Sequence, residues 1–205
     1  VPMNGGSHMN LMRAESPGPT VGKLVPRLRH TARILYLIYM VLTVIQIVLL
    51  LVGGMPAFEA ITHSFGTAGT GGFGVKNSSI GGYNRYCQWV ITVFMVLFGI
   101  NFNAYYLILL KHVKDAFSME EVRTYLAVIL GAVAVVFFSI LDLCESVFDA
   151  LTQAFFQVSS IITTTGYSTV DFDLWPTTAK LVLVLLMFIG ACAGSTGGGI
   201  KVSRF

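Results

Sequence analysis

Four stretches of this chain carry no charged residue and are mostly apolar: Ile34–Phe58, Tyr86–Leu110, Thr124–Leu141 and Leu181–Ile200. Each is 18 to 25 residues long. About 20 residues at ~1.5 Å each carry a helix across the hydrocarbon of a bilayer. Only 11% of the 205 residues are charged and the mean hydropathy is +0.75. A soluble domain has about 25% charged residues. The chain therefore reads as an all-α membrane protein whose first partner is the lipid bilayer. Its net charge of +3 calls for no nucleic-acid partner.

Two polar strings break this pattern. Thr163-Thr164-Thr165-Gly166-Tyr167 lies in the charge-free run 150–170, which is too polar for an ordinary lipid-facing helix. Gly66-Thr67-Ala68-Gly69-Thr70-Gly71-Gly72-Phe73 precedes the second apolar stretch. Such strings in extended order make dense rows of backbone carbonyls. Potassium-channel filters use such a row, Thr-Val-Gly-Tyr-Gly, to replace the hydration shell of the ion. Glycine permits the angles that aim successive carbonyls at one axis. Irregular backbone at membrane depth survives only where it is buried in protein or lines a wet cavity. The bland alternative is a pair of extracellular loops.

An internal repeat argues for the first reading. Phe58-Glu59-Ala60-Ile61-Thr62-His63-Ser64-Phe65 recurs 90 positions later as Phe148-Asp149-Ala150-Leu151-Thr152-Gln153-Ala154-Phe155. Four of the eight positions are identical and the others are similar in size or chemistry. The expected architecture is two tandem helix–pore loop–helix repeats of a potassium-channel-like pore. Residues 1–30 form a cytoplasmic loop and 31–110 the first repeat. Residues 111–123 form a cytoplasmic linker, and 124–205 form a second repeat whose inner helix is interrupted by glycines and truncated. Short helices are expected over Ala57–Phe65 and Phe148–Ile162, the second a turn longer because the filters are offset by slightly more than 90. Their carbonyl ends, each about half a negative charge, would face the pore and favour a cation. If both short helices enter from outside, ten Lys/Arg residues lie inside and three outside: Lys76, Arg85 and Lys180. That agrees with the positive-inside rule, although four plain spans would give the same sides. Glu59, Glu145, Asp149, Asp171 and Asp173 would collect outside and raise the local cation concentration.

The glycine-rich run 190–199 has three readings. A phosphate cradle is disfavoured, because the Gly-Lys-Ser/Thr order and a preceding strand are absent. A close helix-packing face is the second. The favoured reading is a break in the inner helix beneath the filter, a mobile constriction formed by Gly194, Ser195, Thr196, Gly197, Gly198 and Gly199, since four glycines in six residues make a helix costly. Asn101 and Asn103 either line a cavity or bond a neighbouring helix. His63 reads as a structural hydrogen-bond donor, Asp142 and Glu145 as a solvated cap. Cys87, Cys144 and Cys192 match no metal or redox spacing and read as buried free thiols. No nucleophile–base pair, metal-ligand cluster or nucleotide motif supports an enzyme.

The two helix–pore–helix repeats, the strings at 67–73 and 163–167, and above all Gly190-Ala191-Cys192-Ala193-Gly194-Ser195-Thr196-Gly197-Gly198-Gly199-Ile200-Lys201 resemble the bacterial Trk/Ktr/HKT potassium-uptake superfamily, nearest its TrkH/TrkG branch. Arg13-Ala14-Glu15-Ser16-Pro17-Gly18-Pro19 resembles the family's cytoplasmic loop ahead of its second repeat, so Gly6-Ser7-His8-Met9 is read as native. The resemblance implies potassium uptake across the cytoplasmic (inner) membrane through a pseudo-fourfold pore of four repeats. Backbone carbonyls of Thr67, Ala68, Gly69, Thr70, Gly71, Gly72, Thr163, Thr164, Thr165 and Gly166 would hold the ion. Each filter would centre on one glycine, Gly166 in the second string and Gly71 or Gly72 in the first. The resemblance further implies a homodimer, a gate at 194–199, cytosolic nucleotide-binding regulatory subunits, and no cofactor in this chain, potassium being the transported substrate. The chain matches only the second and third repeats, so a fragment of a longer protein is expected, its missing repeats supplying the rest of the pore. The alternatives are a two-repeat cation channel completed by dimerisation and a non-transporting membrane scaffold.

Overall fold

The computed structural model describes residues 28–204. Most of the expected cytoplasmic loop at 1–30 lies outside them. The described residues are helical and contain no strand, apart from one isolated bridge between Ile189 and Ile200. Helix α1 spans Leu28–Val52 and stops at Gly53-Gly54, where Gly54 takes φ +83°. Pro56 then leads into α2, Ala57–Ala68. Helix α3, Arg85–Gly99, is capped by Asn84, whose side chain accepts from the Cys87 amide. Helix α4 is Phe102–Leu109 and α5 is Val113–Ser118. Helix α6, Glu120–Ile140, begins with two acidic residues at its positive end. Helix α7, Val147–Ile162, is capped by Ser146, and α8 is Thr177–Phe188.

Two of the expected spans are not single helices. The Tyr86–Leu110 stretch bends by 90° between α3 and α4. The Leu181–Ile200 stretch is helical only to Phe188, after which the chain runs as a loop. Among the described residues, two helices are long and apolar enough to cross a membrane, Ala32–Val52 and Glu120–Leu143, or three if the bent pair counts as one. The expected difference in length between the two short helices is present, since α2 has 12 residues and α7 has 16, one helical turn more.

Each short helix packs on its outer helix through a stripe of small residues one turn apart. On α2 these are Ala60, Ser64 and Ala68; on α7 they are Ala150, Ala154 and Val158, all fully buried. In lipid, helices associate by close packing rather than hydrophobic transfer, and small side chains allow that approach. Against the α7 stripe, α6 sets Tyr125, Ile129, Val133, Val136 and Ile140, while Leu130, Val135 and Phe138 face outward. The molecule thus has two main cores, one under each short helix. Phe156 and Tyr167, from the second repeat, belong to the core of the first.

Candidate functional site

The ends of α2 and α7 share one backbone hydrogen-bond pattern. Gly69 N–H donates to Phe65 O at 2.9 Å, and Thr163 N–H to Ser159 O at 3.1 Å. Thr70 donates to Thr67 O and Thr164 to Ile161 O. Gly71 and Gly72 both donate to Gly66 O, as Thr165 and Gly166 both donate to Ser160 O. The left-handed residues match as well: Thr70 (φ +49°) with Thr164 (+58°), and Gly72 (+65°) with Gly166 (+84°). Gly72 is therefore the backbone counterpart of Gly166, and Gly71 that of Thr165.

This register moves the start of each string. Thr67 and Ala68 are not in an extended row; they belong to the last turn of α2, where the Thr67 carbonyl accepts from Thr70. Thr163 closes α7, and its carbonyl accepts from the Thr164 hydroxyl at 2.6 Å. The physical reason is that the turn beyond each helix absorbs two residues before the chain extends. Among the described residues, no hydrogen bond falls on the carbonyls of Thr70, Gly71, Gly72, Thr164, Thr165 or Gly166. The two rows lie side by side: a methyl added at Gly72 would stand 1.9 Å from the Thr165 carbonyl oxygen.

Buttresses hold the rows from behind. The Ser160 hydroxyl donates to Tyr167 O at 2.6 Å. The buried Tyr167 hydroxyl donates to His63 O at 3.2 Å, and its oxygen lies 3.4 Å from His63 Nδ1. On the other side of the imidazole, Nε2 meets the Tyr83 hydroxyl at 3.0 Å. Burial, with a hydrogen bond to the nearby Glu59 carboxylate, pushes the Tyr83 phenol well up, so it stays protonated. The imidazole bridges the Tyr167 and Tyr83 hydroxyls through its two ring nitrogens. His63 is thus a structural partner, as its sequence context suggests, and ties the first short helix to the second string.

Beneath the rows, the loop after α8 fills the break between α3 and α4. Phe98 O accepts from the Thr196 N–H and hydroxyl, at 3.3 and 3.2 Å. Gly99 O accepts from Cys192 N–H at 3.1 Å, and Phe102 N–H donates to Gly194 O at 3.0 Å. Gly99 has no room for a side chain, since a methyl there would meet the Tyr125 hydroxyl at 2.1 Å. The loop also touches both strings. Thr70 Oγ1 donates to Thr196 O at 3.1 Å, and Gly198 N–H donates to Thr164 Oγ1 at 2.7 Å. The Lys201 ammonium donates to Gly197 O, bracing the loop from within. Gly194 and Gly199 take φ +70° and +74°.

Sequence reasoning missed Glu121, which it placed in the linker 111–123. The residue is only 8% exposed. It accepts from the Ala193 N–H and, at 3.2 Å, from the Asn101 amide. Asn101 itself is 5% exposed and caps α4 by accepting from Asn103 N–H at 2.9 Å. This settles Asn101 as bonded to a neighbouring helix. Asn103 contributes its backbone to that cap. The acid pair Glu120-Glu121 announces a helix start, but nothing local says which of the two turns inward. Asp142 lies in an exposed turn as expected, and the three cysteines are free, Cys87 and Cys192 buried but Cys144, beside the exposed turn, only partly so.

Comparison with known proteins places this geometry. The profile of the TrkH family, described as a cation transport protein, matches residues 2–205. The chain is 39% identical over 211 residues to the Trk system potassium uptake protein TrkH of Salmonella typhimurium, covering all of this chain and 43% of that protein. It is 36% identical over 209 residues to the Trk system potassium uptake protein TrkG of Escherichia coli, again over 43% of the relative. The crystal structure of the potassium transporter TrkH from Vibrio parahaemolyticus superposes with a TM-score of 0.84 at 34% identity, over 95% of this chain and 43% of that one. The chain thus spans less than half the length of the relatives it matches.

Proposed function

Because this chain belongs to the TrkH family of membrane cation transporters, which are not enzymes, we propose that it forms part of a potassium-uptake pore in a bacterial cytoplasmic membrane. The observation that carries this reading is the pair of carbonyl rows, 70–72 and 164–166, set in one register by the same turn and free of internal hydrogen bonds. A desolvated potassium ion needs several oxygen ligands at once, and unpaired carbonyls at membrane depth are costly unless something polar meets them. Two rows supply part of a coordination shell, and the remaining ligands come from further repeats of the same protein. Thr67, Ala68, Gly69 and Thr163 support the rows through the turns they close. The carbonyl ends of α2 and α7 face the same place and add favourable potential for a cation. The loop 194–199 constricts the path below the rows and acts as the gate. Cytosolic nucleotide-binding subunits bias that gate, and the complete protein works as a homodimer.

Replacing Gly166 by Ser in the full-length gene tests the ion reading. Loss of potassium uptake in an uptake-deficient strain, at unchanged protein level, is the expected result. Undiminished uptake overturns it and leaves a membrane scaffold. Uptake of sodium in place of potassium by the unaltered protein would keep the pore and overturn the choice of ion.

A further inference from the structure

The loop after α8 fastens itself to both carbonyl rows at the same point. Thr70 opens the first row and Thr164 the second, and both carry a left-handed φ, +49° and +58°. That conformation is uncommon for a residue other than glycine, and a branched Cβ makes it a strained one. A strained residue keeps such an angle only where its surroundings impose it. The turn supplies one constraint, because Thr70 N–H donates to Thr67 O and Thr164 N–H to Ile161 O. The loop supplies the other, through the two side chains. Thr70 Oγ1 donates to Thr196 O at 3.1 Å. Thr164 Oγ1 gives its proton to Thr163 O at 2.6 Å and accepts from Gly198 N–H at 2.7 Å.

Residues 196–198 thus form a crosspiece whose ends are bonded to two different repeats. Two of its glycines follow from the close fit. A methyl at Gly198 would stand 3.0 Å from Thr164 Oγ1, and one at Gly197 would stand 3.2 Å from Thr163 O. The same crosspiece is bonded to the broken inner helix, where Phe98 O accepts from Thr196. The bonds that seat the loop and the bonds that restrain Thr70 and Thr164 therefore share residues, and a loop that withdraws breaks both sets together.

We propose, on the potassium-pore reading above, that the Thr70 and Thr164 hydroxyls are positioning groups that couple an ion in the rows to the seating of the loop. With the loop seated, both threonines are held left-handed and the carbonyls of 70–72 and 164–166 keep their register. With the loop withdrawn, both threonines lose a partner and relax, and the carbonyls turn with them. The rows then bind the ion less well. Linkage is reciprocal, so an ion that binds the seated state better holds the loop in its seat by the same factor. The loop leaves more readily from an emptied pair of rows.

The test is hydrogen exchange of the peptide containing residues 192–199, read by mass spectrometry on the complete protein in nanodiscs. It is run in potassium chloride and in choline chloride at equal ionic strength. Potassium should slow exchange of this peptide at least about fivefold, the lower end of ordinary coupling between two sites. Thr164→Val and Thr70→Val should each lose most of that ratio. Thr164→Ser and Thr70→Ser keep the hydroxyl and should retain it. A purely structural role speeds exchange in both media alike and leaves the ratio unchanged. That outcome overturns the proposal, as does an unaltered protein indifferent to potassium, or Ser variants that behave like the Val ones. Should Thr164→Val fail to accumulate, the Thr70 pair decides. Potassium uptake by the same protein in vesicles separates the two readings. Uptake without protection of the loop overturns the coupling alone, and absence of both overturns the pore with it.

Discussion

At the scale of single residues, Gly71 and Gly72 look interchangeable in the sequence and are not. Gly72 holds a left-handed angle and abuts the Thr165 carbonyl, whereas a methyl at Gly71 would meet only the Phe73 ring at 3.1 Å. A left-handed non-glycine residue costs about 1–3 kcal/mol, and the clash at Gly72 adds to it. Gly72→Ala should therefore cut rubidium uptake by the full-length protein at least ~10-fold, about 1.4 kcal/mol in barrier terms. Gly71→Ala should leave most of it. Equal losses in a flux assay normalised to protein amount would contradict the register. Glu121 invites a second comparison. Glu121→Ala strands the Ala193 N–H and the Asn101 amide, each at a cost of about 1–3 kcal/mol. Glu121→Gln keeps one acceptor and should lose about half as much. Thermal unfolding in detergent would rank the two, and the reverse order would show that the carboxylate is not what holds the loop.

At the scale of elements, the repeat was readable because it is local: eight residues, one pattern, two copies. So was the extra turn of α7, which follows from the offset between octapeptide and filter. The break after Gly99 was not readable, because the residues 86–110 form one uncharged apolar run. What bends it lies far along the chain, in Tyr125, Glu121 and the loop at 192–196 that takes over its backbone hydrogen bonds. Where each extended row begins was not readable for a related reason, since a helix end and an extended segment have the same Thr/Gly composition. The α3–α7 junction offers a test at this scale. Trp89 is its main anchor, and Trp89→Ala should destabilise by about 3 kcal/mol through lost packing and one hydrogen bond. Arg85 is half-exposed, so Arg85→Ala should cost under about 1 kcal/mol. Denaturant titration in micelles that found Arg85 the costlier of the two would refute this ranking.

At the scale of the molecule, the two repeats supply two carbonyl rows side by side, and an ion in a filter needs oxygens all around it. Residues 1–205 reconstituted alone into vesicles should pass no rubidium above the protein-free leak, while the full-length protein does; flux through this chain alone would show that two rows suffice. The loop beneath the rows has a last consequence. It holds Phe98 O, Gly99 O and Phe102 N–H, the very groups that the bend in the inner helix releases. A loop that withdraws leaves them bare at a depth where each unmet group costs several kcal/mol. Water must take its place, so on the proposed gate reading, opening would also be a wetting event. Opening should then draw on the activity of water itself, and an osmolyte too large to enter the cavity should hold the pore shut without touching the protein.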